Sequence, residues 1–404
     1  MAIYSSYQKF SLAGIYLFAL SLPISFVPAE FGLAFAMIGW ILEGLFKKNW
    51  QFQNHLLFIP LACYIAWNVL SASISPRPEH SLWAVADNEW SLFIMLMMFW
   101  VIRDENTLMN IAYTFLGGLM INTCYGLVQS FIGVELWRNS PLDPIYGMYR
   151  IVGFQNFYLT FAAFAFASFL LSTSLAVTVK GKKEILFGTL ALLSFVALTQ
   201  TYARSIWLAL LVALPMFVFL KIRKWRIAFV ATFLTIVTGL VTLVPSIRDR
   251  AISIVDVKGN ETRINLWKTS INIFKDFPLT GVGEDNFDYY FENYRVEGFY
   301  DTTVNPHNDY LNVLVSSGIP GLALFLALWV ITLRQGFHVV RSSLPTPVQA
   351  VILGSTLTIS GILVGSFFQN YYGTFANCLE WWFLAGLIFT GTKFAQPSVP
   401  SATT

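Results

Sequence analysis

Apolar runs of about 17 residues or more recur along nearly the whole chain, with few charges interrupting them. A run of that length crosses the hydrocarbon of a bilayer as a helix, because its backbone N–H and C=O groups are then satisfied within the segment. Composition agrees. Hydrophobic residues make up 56% and charged residues 12% of the chain, about half the charged share of soluble domains. A transmembrane β-barrel does not fit, since its strands would read as alternating segments of about ten residues. The fold class is therefore all-α, a polytopic membrane protein.

Twelve spans follow, near 11–28, 30–46, 55–73, 90–102, 107–133, 154–175, 184–201, 204–220, 227–245, 309–333, 348–368 and 375–392. The fourth is short, and its start can reach back toward Trp83. The seventh and eighth are joined by almost nothing, a junction at which one of them can tilt or break. The first is read as a membrane helix, because no small-residue cleavage site follows it. Cys63, Cys124 and Cys378 all fall within apolar segments, without metal-ligand spacing, and read as small core residues. No internal repeat is visible.

Charge placement orients the spans better than the net charge of +3 does. Alternate connections hold Lys47 and Lys48; Arg103; Lys180, Lys182 and Lys183; Lys221, Arg223, Lys224 and Arg226; Arg334 and Arg341. Twelve spans put these on one side with Lys9 and Lys393, and the positive-inside rule makes that side cytoplasmic, with both termini inside. The other face carries the longer loops near 74–89, 134–153 and 246–308. The expected organisation is membrane helices 1–9 over 1–245, a large outer loop with short helices over 246–308, helices 10–12 over 309–393, and a disordered tail over 394–404.

Candidate chemistry gathers on that outer face. His307 follows Pro306, which suits a first helical turn. At helical spacing His307, Leu311, Leu314 and Gly318 share a face. A helix N-terminus disfavours a protonated imidazole, and a neutral one can act as a general base; an interfacial hydrogen-bonding histidine is the simpler alternative. Gly318 and Gly321 permit close helix contact or ligand approach. Arg204 sits between the seventh and eighth spans, where a guanidinium is costly without a partner and its fork suits phosphate; snorkelling or a loop salt bridge would also explain it. Arg263, Trp267, Ser270 and Phe274 share a face of a helix that can rest on the membrane surface, with Trp267 at the interface. Arg150 opens the sixth span as an anchor or anion contact, and Asn156 can hydrogen-bond a sugar. The glycines of "PLTGVGEDNF" are weak evidence for a phosphate loop without a preceding strand. Glu284, Asp285 and Asp288 read as solvated loop acids more readily than as cation ligands. Arg77 and His80 are weaker candidates still.

Taken in order, these residues make the sequence resemble the O-antigen ligase and O-antigen polymerase superfamily of bacterial envelope glycan enzymes. Arg204 with Leu208 is similar to its R-x-x-x-L pattern. Arg263, its tryptophan and the P-L-x-G-x-G-x-x-x-F run from Pro278 to Phe287 are a second match. His307-Asn308, nine residues, then Gly318-x-x-Gly321 are the third. The chain departs from the family at "GFQNFYLT", which lacks the proline of the family's G-x-x-x-N-P-N-like segment.

The resemblance implies a glycan donor on undecaprenyl pyrophosphate, with transfer at the periplasmic face of the bacterial inner membrane and without cofactor, nucleotide or metal. The ligase branch, favoured here, transfers to a hydroxyl of lipid A–core in lipopolysaccharide assembly. The polymerase branch transfers to another lipid-linked unit. A third branch uses a protein hydroxyl and carries an extra soluble domain, for which the short C-terminal segment leaves no room. In the ligase reading Arg204 and Arg263 stabilise the departing pyrophosphate and His307 takes the acceptor's proton, giving inversion; His307 can alternatively bind phosphate. Arg150, Asn156 and Asn308 are the substrate-binding candidates. Membrane lipids are expected partners and nucleic acid is not. A secondary transporter is the rival class, but transporters commonly show repeats and midplane polar residues.

Overall fold

The computed structural model describes residues 4–221, 226–254, 256, 258–300, 305–342, 344 and 346–395. Residues 396–404, most of the expected disordered tail, lie outside these, as do Arg223 and Lys224. Among the described residues the helices are α1 (Ser6–Ser21), α2 (Phe26–Lys47), α3 (Phe58–Ser73), α4 (Pro78–Glu89), α5 (Phe93–Val101), α6 (Glu105–Ile132), α7 (Tyr158–Ala176), α8 (Lys182–Gln200), α9 (Arg204–Lys221), α10 (Arg226–Leu243), α11 (Pro245–Ile252), α12 (Glu261–Asp276), α13 (Phe287–Tyr294), α14 (Asp309–Val340), α15 (Thr346–Gly365) and α16 (Phe375–Ala395). Strand is confined to two short antiparallel pairs between α6 and α7: β1 (Val134–Glu135) with β2 (Ser140–Pro141), and β3 (Pro144–Ile145) with β4 (Met148–Tyr149).

Every expected span overlaps a helix, the first running past the end of α1 at Ser21 into α2, and among the described residues eight segments are both long and apolar enough to cross a membrane. The protein is an all-α, multi-pass membrane protein. The expected fourth span is corrected: 78–89 is a helix rather than a loop, and α4 runs through a 3-10 turn into α5, so the segment extends from Pro78 to Val101. Pro78 sits in its first turn, where a missing N–H costs nothing. The α8–α9 junction is a turn over 201–203, which ends α8 at Gln200 and starts α9 at Arg204.

Apolar residues on all sides mark the centre of the bundle. The apolar stretches of α7 and α15 are each 83% buried, against 28% for α8 at the periphery. Trp329 of α14 meets Trp381 of α16 edge-on at 4.7 Å, and both are fully buried.

The segment between α10 and α14 forms a cap with a small core of Leu266, Ile273, Val282, Phe287 and Phe291. Val315 of α14 completes that core, which ties the cap to a membrane helix. The tie is a backbone joint. Helix α14 breaks at Gly318, where φ is 64° and ψ −167°. Val282 N donates to Val315 O at 2.8 Å, Gly283 N to Ser316 O at 2.9 Å, and Ile319 N to Pro278 O at 2.9 Å. From the bundle side, Trp67 Nε1 donates to Ser317 O at 2.7 Å and Ser71 Oγ to Ser316 O at 2.8 Å. Irregular backbone survives at membrane depth only when its polar groups are met in this way. A Cβ at Gly318 would fall on Leu279 O, and one at Gly281 (φ 67°) on the Ser316 carbonyl. The P-L-x-G-x-G run and the G-x-x-G pair are therefore the two halves of one joint, and the GxG is not a phosphate loop.

Candidate active site

Arg204 opens α9, aimed by the preceding turn. Thr201 Oγ1 donates to Leu198 O at 2.6 Å and accepts from Ala203 N at 3.2 Å, while Tyr202 takes a left-handed φ of 53°. The Tyr202 carbonyl is chelated by Arg250 of α11, through Nε at 3.0 Å and Nη2 at 2.9 Å. Arg204 donates to Ser253 O, and through Nη2 to Asn260 Oδ1 at 3.1 Å. Asn260 immediately precedes α12, which carries Arg263 one turn on.

Four half-buried guanidiniums lie close enough together to feel one another's charge. The charges of Arg263, Arg250 and Arg150 all act on Arg204. Burial, followed by the Arg150 and Arg263 charges, pushes Arg250 below the ordinary guanidinium range, although an arginine still remains charged. Arg150 stacks over the Tyr158 ring at 4.4 Å, and its Nε is buried with no hydrogen-bond partner. Among the described residues, no carboxylate comes within ion-pair distance of any of the four. Concentrated, uncompensated positive charge at fixed geometry is the arrangement that binds a polyanion.

His307 lies just ahead of the start of α14, but not as a helical residue. The helix begins at Asp309 with Asn308 as its N-cap, and His307 precedes them at φ 46°. The expected helical face of His307, Leu311, Leu314 and Gly318 is thereby corrected, as is Pro306 as a first-turn residue. A left-handed, non-glycine conformation is held only where the surroundings determine it, a pattern frequent at functional sites. His307 N donates to Asn305 Oδ1 at 2.9 Å. Trp267 Nε1 donates to Pro306 O at 3.0 Å, joining the Arg263 helix to the histidine. Trp267 is therefore a tether for residue 306.

A second tether runs through Asp309. Its buried carboxylate accepts from Tyr371 N and Tyr372 N at 3.0 Å and from Gly373 N at 3.2 Å. Tyr371 Oη in turn meets Ser205 Oγ at 2.8 Å, next to Arg204. Arg204, Arg263, Arg150 and His307 are thus brought together.

Asn308 and Asn156 are not. The Asn308 side chain caps Leu311 N at 3.0 Å and donates to Phe367 O at 2.9 Å. Both contacts hold Asn308 at the start of α14. Asn156 is an exposed turn residue at φ 58° before α7, a conformation asparagine tolerates well. The loop acids are corrected too. Arg77 pairs with Asp288 at 2.5 Å and His80 with Asp285 at 3.0 Å, which latches α4 to the cap. Two important residues escaped the sequence reading. Arg250 has no motif, and its role appears only once α11 packs on the α8–α9 turn. Asp309 had a signal, an acid at a helix N-terminus directly after His307-Asn308.

Residues 189–326 match the family model described as O-antigen ligase, a span that includes Arg204, Arg250, Arg263, His307, Gly318 and Gly321. Over that span the chain is similar to the O-antigen ligase family. The match supports an O-antigen ligase- or polymerase-type function broadly. No curated protein matches the chain. A solved structure described as "Structural coordination of polymerization and crosslinking by a peptidoglycan synthase complex" is similar at 14% identity, covering 84% of this chain and 98% of that one with a TM-score of 0.46.

Proposed function

We propose that the protein is an O-antigen ligase, transferring a glycan from undecaprenyl pyrophosphate to a sugar hydroxyl of lipid A–core at the periplasmic face. The observation that carries this is the cluster of four arginines, without a carboxylate partner among the described residues, whose Arg263 helix is tied through Trp267 to the residue before His307. In the proposed step the acceptor oxygen attacks the anomeric carbon from the side opposite the leaving group. The carbon–oxygen bond to phosphate breaks, its electron pair leaves with the pyrophosphate, and configuration inverts. Arg204 and Arg263 face the growing phosphate charge, with Arg150 and Arg250 behind them. Their contacts fix them before charge develops, so little reorganisation is needed. His307 accepts the proton of the attacking hydroxyl.

The test is reconstituted transfer. Purified protein, a lipid-linked glycan donor and lipid A–core are combined with EDTA present, beside His307→Ala. Glycan on lipid A–core with the intact protein alone is the expected result. Longer lipid-linked chains with lipid A–core untouched would make the protein a polymerase. Failure of both, with donor intact and protein folded, would overturn glycan transfer.

A further inference from the structure

A cleft lined in part by Asn305 contains none of the four arginines. Its volume is about 470 Å³, within the range of small-molecule sites. Asp87, Asn88, Glu284, Asn305, Asn312 and Asn370 supply its polar lining, and Phe287 and Phe375 are its aromatic members. No basic side chain lines it among the described residues. Asp285 and Asp288, also at its edge, are held by His80 and Arg77. Asn370 Oδ1 is buried there with no hydrogen-bond partner. Asn305 connects the cleft to the chemistry, since the residue lining the wall is the one that accepts from His307 N at 2.9 Å.

Several amides, two acids not engaged in ion pairs and two apolar rings suit a carbohydrate. Carboxylate and amide oxygens accept from hydroxyls, amide NH₂ groups donate to them, and aromatic rings cover a pyranose face. The same lining is hostile to phosphate or carboxylate groups, because like charges brought together in a partly desolvated site repel. We propose that this cleft is the acceptor subsite and that it selects a neutral or amino-bearing sugar over an anionic one, an inference that rests on the transfer reading above. The bound sugar presents its hydroxyl toward residue 307. The hydroxyl oxygen bonds to the donor's anomeric carbon, its proton passes to His307, and the pyrophosphate departs toward the arginine cluster.

Binding can be measured without turnover. Saturation-transfer NMR would use the full-length protein in nanodiscs with three probe trisaccharides, ending in glucose, glucosamine and glucuronic acid. The first two should bind and the third should not. Glu284→Gln and Asn370→Ala should each weaken binding of the glucose probe about tenfold, as expected for one lost hydrogen bond to a polar ligand. In the transfer assay the same variants should raise the acceptor KM while leaving the donor KM unchanged. Equal binding of the glucuronic probe, no binding of any probe, or unchanged binding in both variants would overturn the proposal. Sugar binding with the expected preference but no transfer by the intact protein would overturn the transferase reading and leave the cleft's sugar specificity standing.

Discussion

The arginine cluster and the cleft lined by Asn305 treat charge in opposite ways. In the first, Arg150, Arg204, Arg250 and Arg263 crowd together, held by carbonyls, an amide and a ring, with no carboxylate in ion-pair reach among the described residues. In the second, Asp285 and Asp288 are latched by His80 and Arg77, and the remaining lining is largely amide, apolar and small. The first leaves its charge for a ligand. The second uses much of its charge to fasten the cap to α4. The proposed transferase, which would join a pyrophosphate donor to a sugar hydroxyl, needs two such environments.

The sharpest way to break this contrast is to remove the cations. Arg204→Ala or Arg263→Ala should lower the transfer rate roughly 10²–10³-fold, about 2.7–4 kcal/mol of barrier, by analogy with lost oxyanion donors. Lysine should rescue poorly where two-pronged contact matters. Near-normal turnover by Arg263→Ala would remove that residue from the mechanism. His307→Gln should retain donor binding and lose turnover, and substantial turnover would reduce the imidazole to a positioning group. Gly318→Ala attacks the joint instead of the chemistry. It should cost on the order of 2–3 kcal/mol, from a left-handed φ and a Cβ driven onto Leu279 O, read as a lowered melting temperature in detergent.

Arg250→Ala should have a smaller effect, about tenfold to thirtyfold on transfer, because it loosens the Tyr202 carbonyl and removes a supporting charge. Rescue of kcat by lysine would indicate that charge matters more than the chelate. The acidic side offers the smallest effect. Burial, then the Asp285 charge, push the Glu284 carboxyl from an ordinary 4.5 up to about 7. In the unfolded chain it ionises from the lower value, and in the folded protein only near the higher one. Folding is thus unpenalised below the lower value and increasingly penalised until pH passes the higher one. Glu284→Gln should raise the melting temperature by about 2 °C at pH 8 and leave it unchanged near pH 4. The opposite pH dependence would mean that the carboxylate is stabilised in its charged form.

The membrane fold was legible because span length and hydropathy are local properties, and α1, α2 and α7 fall where apolar runs predict them. Arg204 and His307 drew notice in the sequence because a cation or imidazole at a span end has few uses, and Arg263 because it shares a helix face with Trp267. The meaning of the glycines was not. Gly281 and Gly318 explain each other only after the cap has folded onto α14, across a separation that periodicity does not report. The backbone of His307 was hidden for a similar reason: Pro306 suggests a helix start, but Asn308 captures the capping role and pushes the histidine out of the helix. Arg250 looked like any surface arginine until its carbonyl partner arrived from another hairpin.

Helix α14 cannot enter a bilayer as a finished rod. The carbonyls of Val315, Ser316 and Ser317 take donors from Val282, Gly283, Ser71 and Trp67, and until those segments arrive they face hydrocarbon or one another at a cost of several kcal/mol each. Completion of the membrane bundle therefore waits on folding of the cap, and the last stage of assembly is a docking event rather than an insertion. Lesions around 278–283 would be met by cellular quality control, and would register as missing protein rather than as an inactive enzyme.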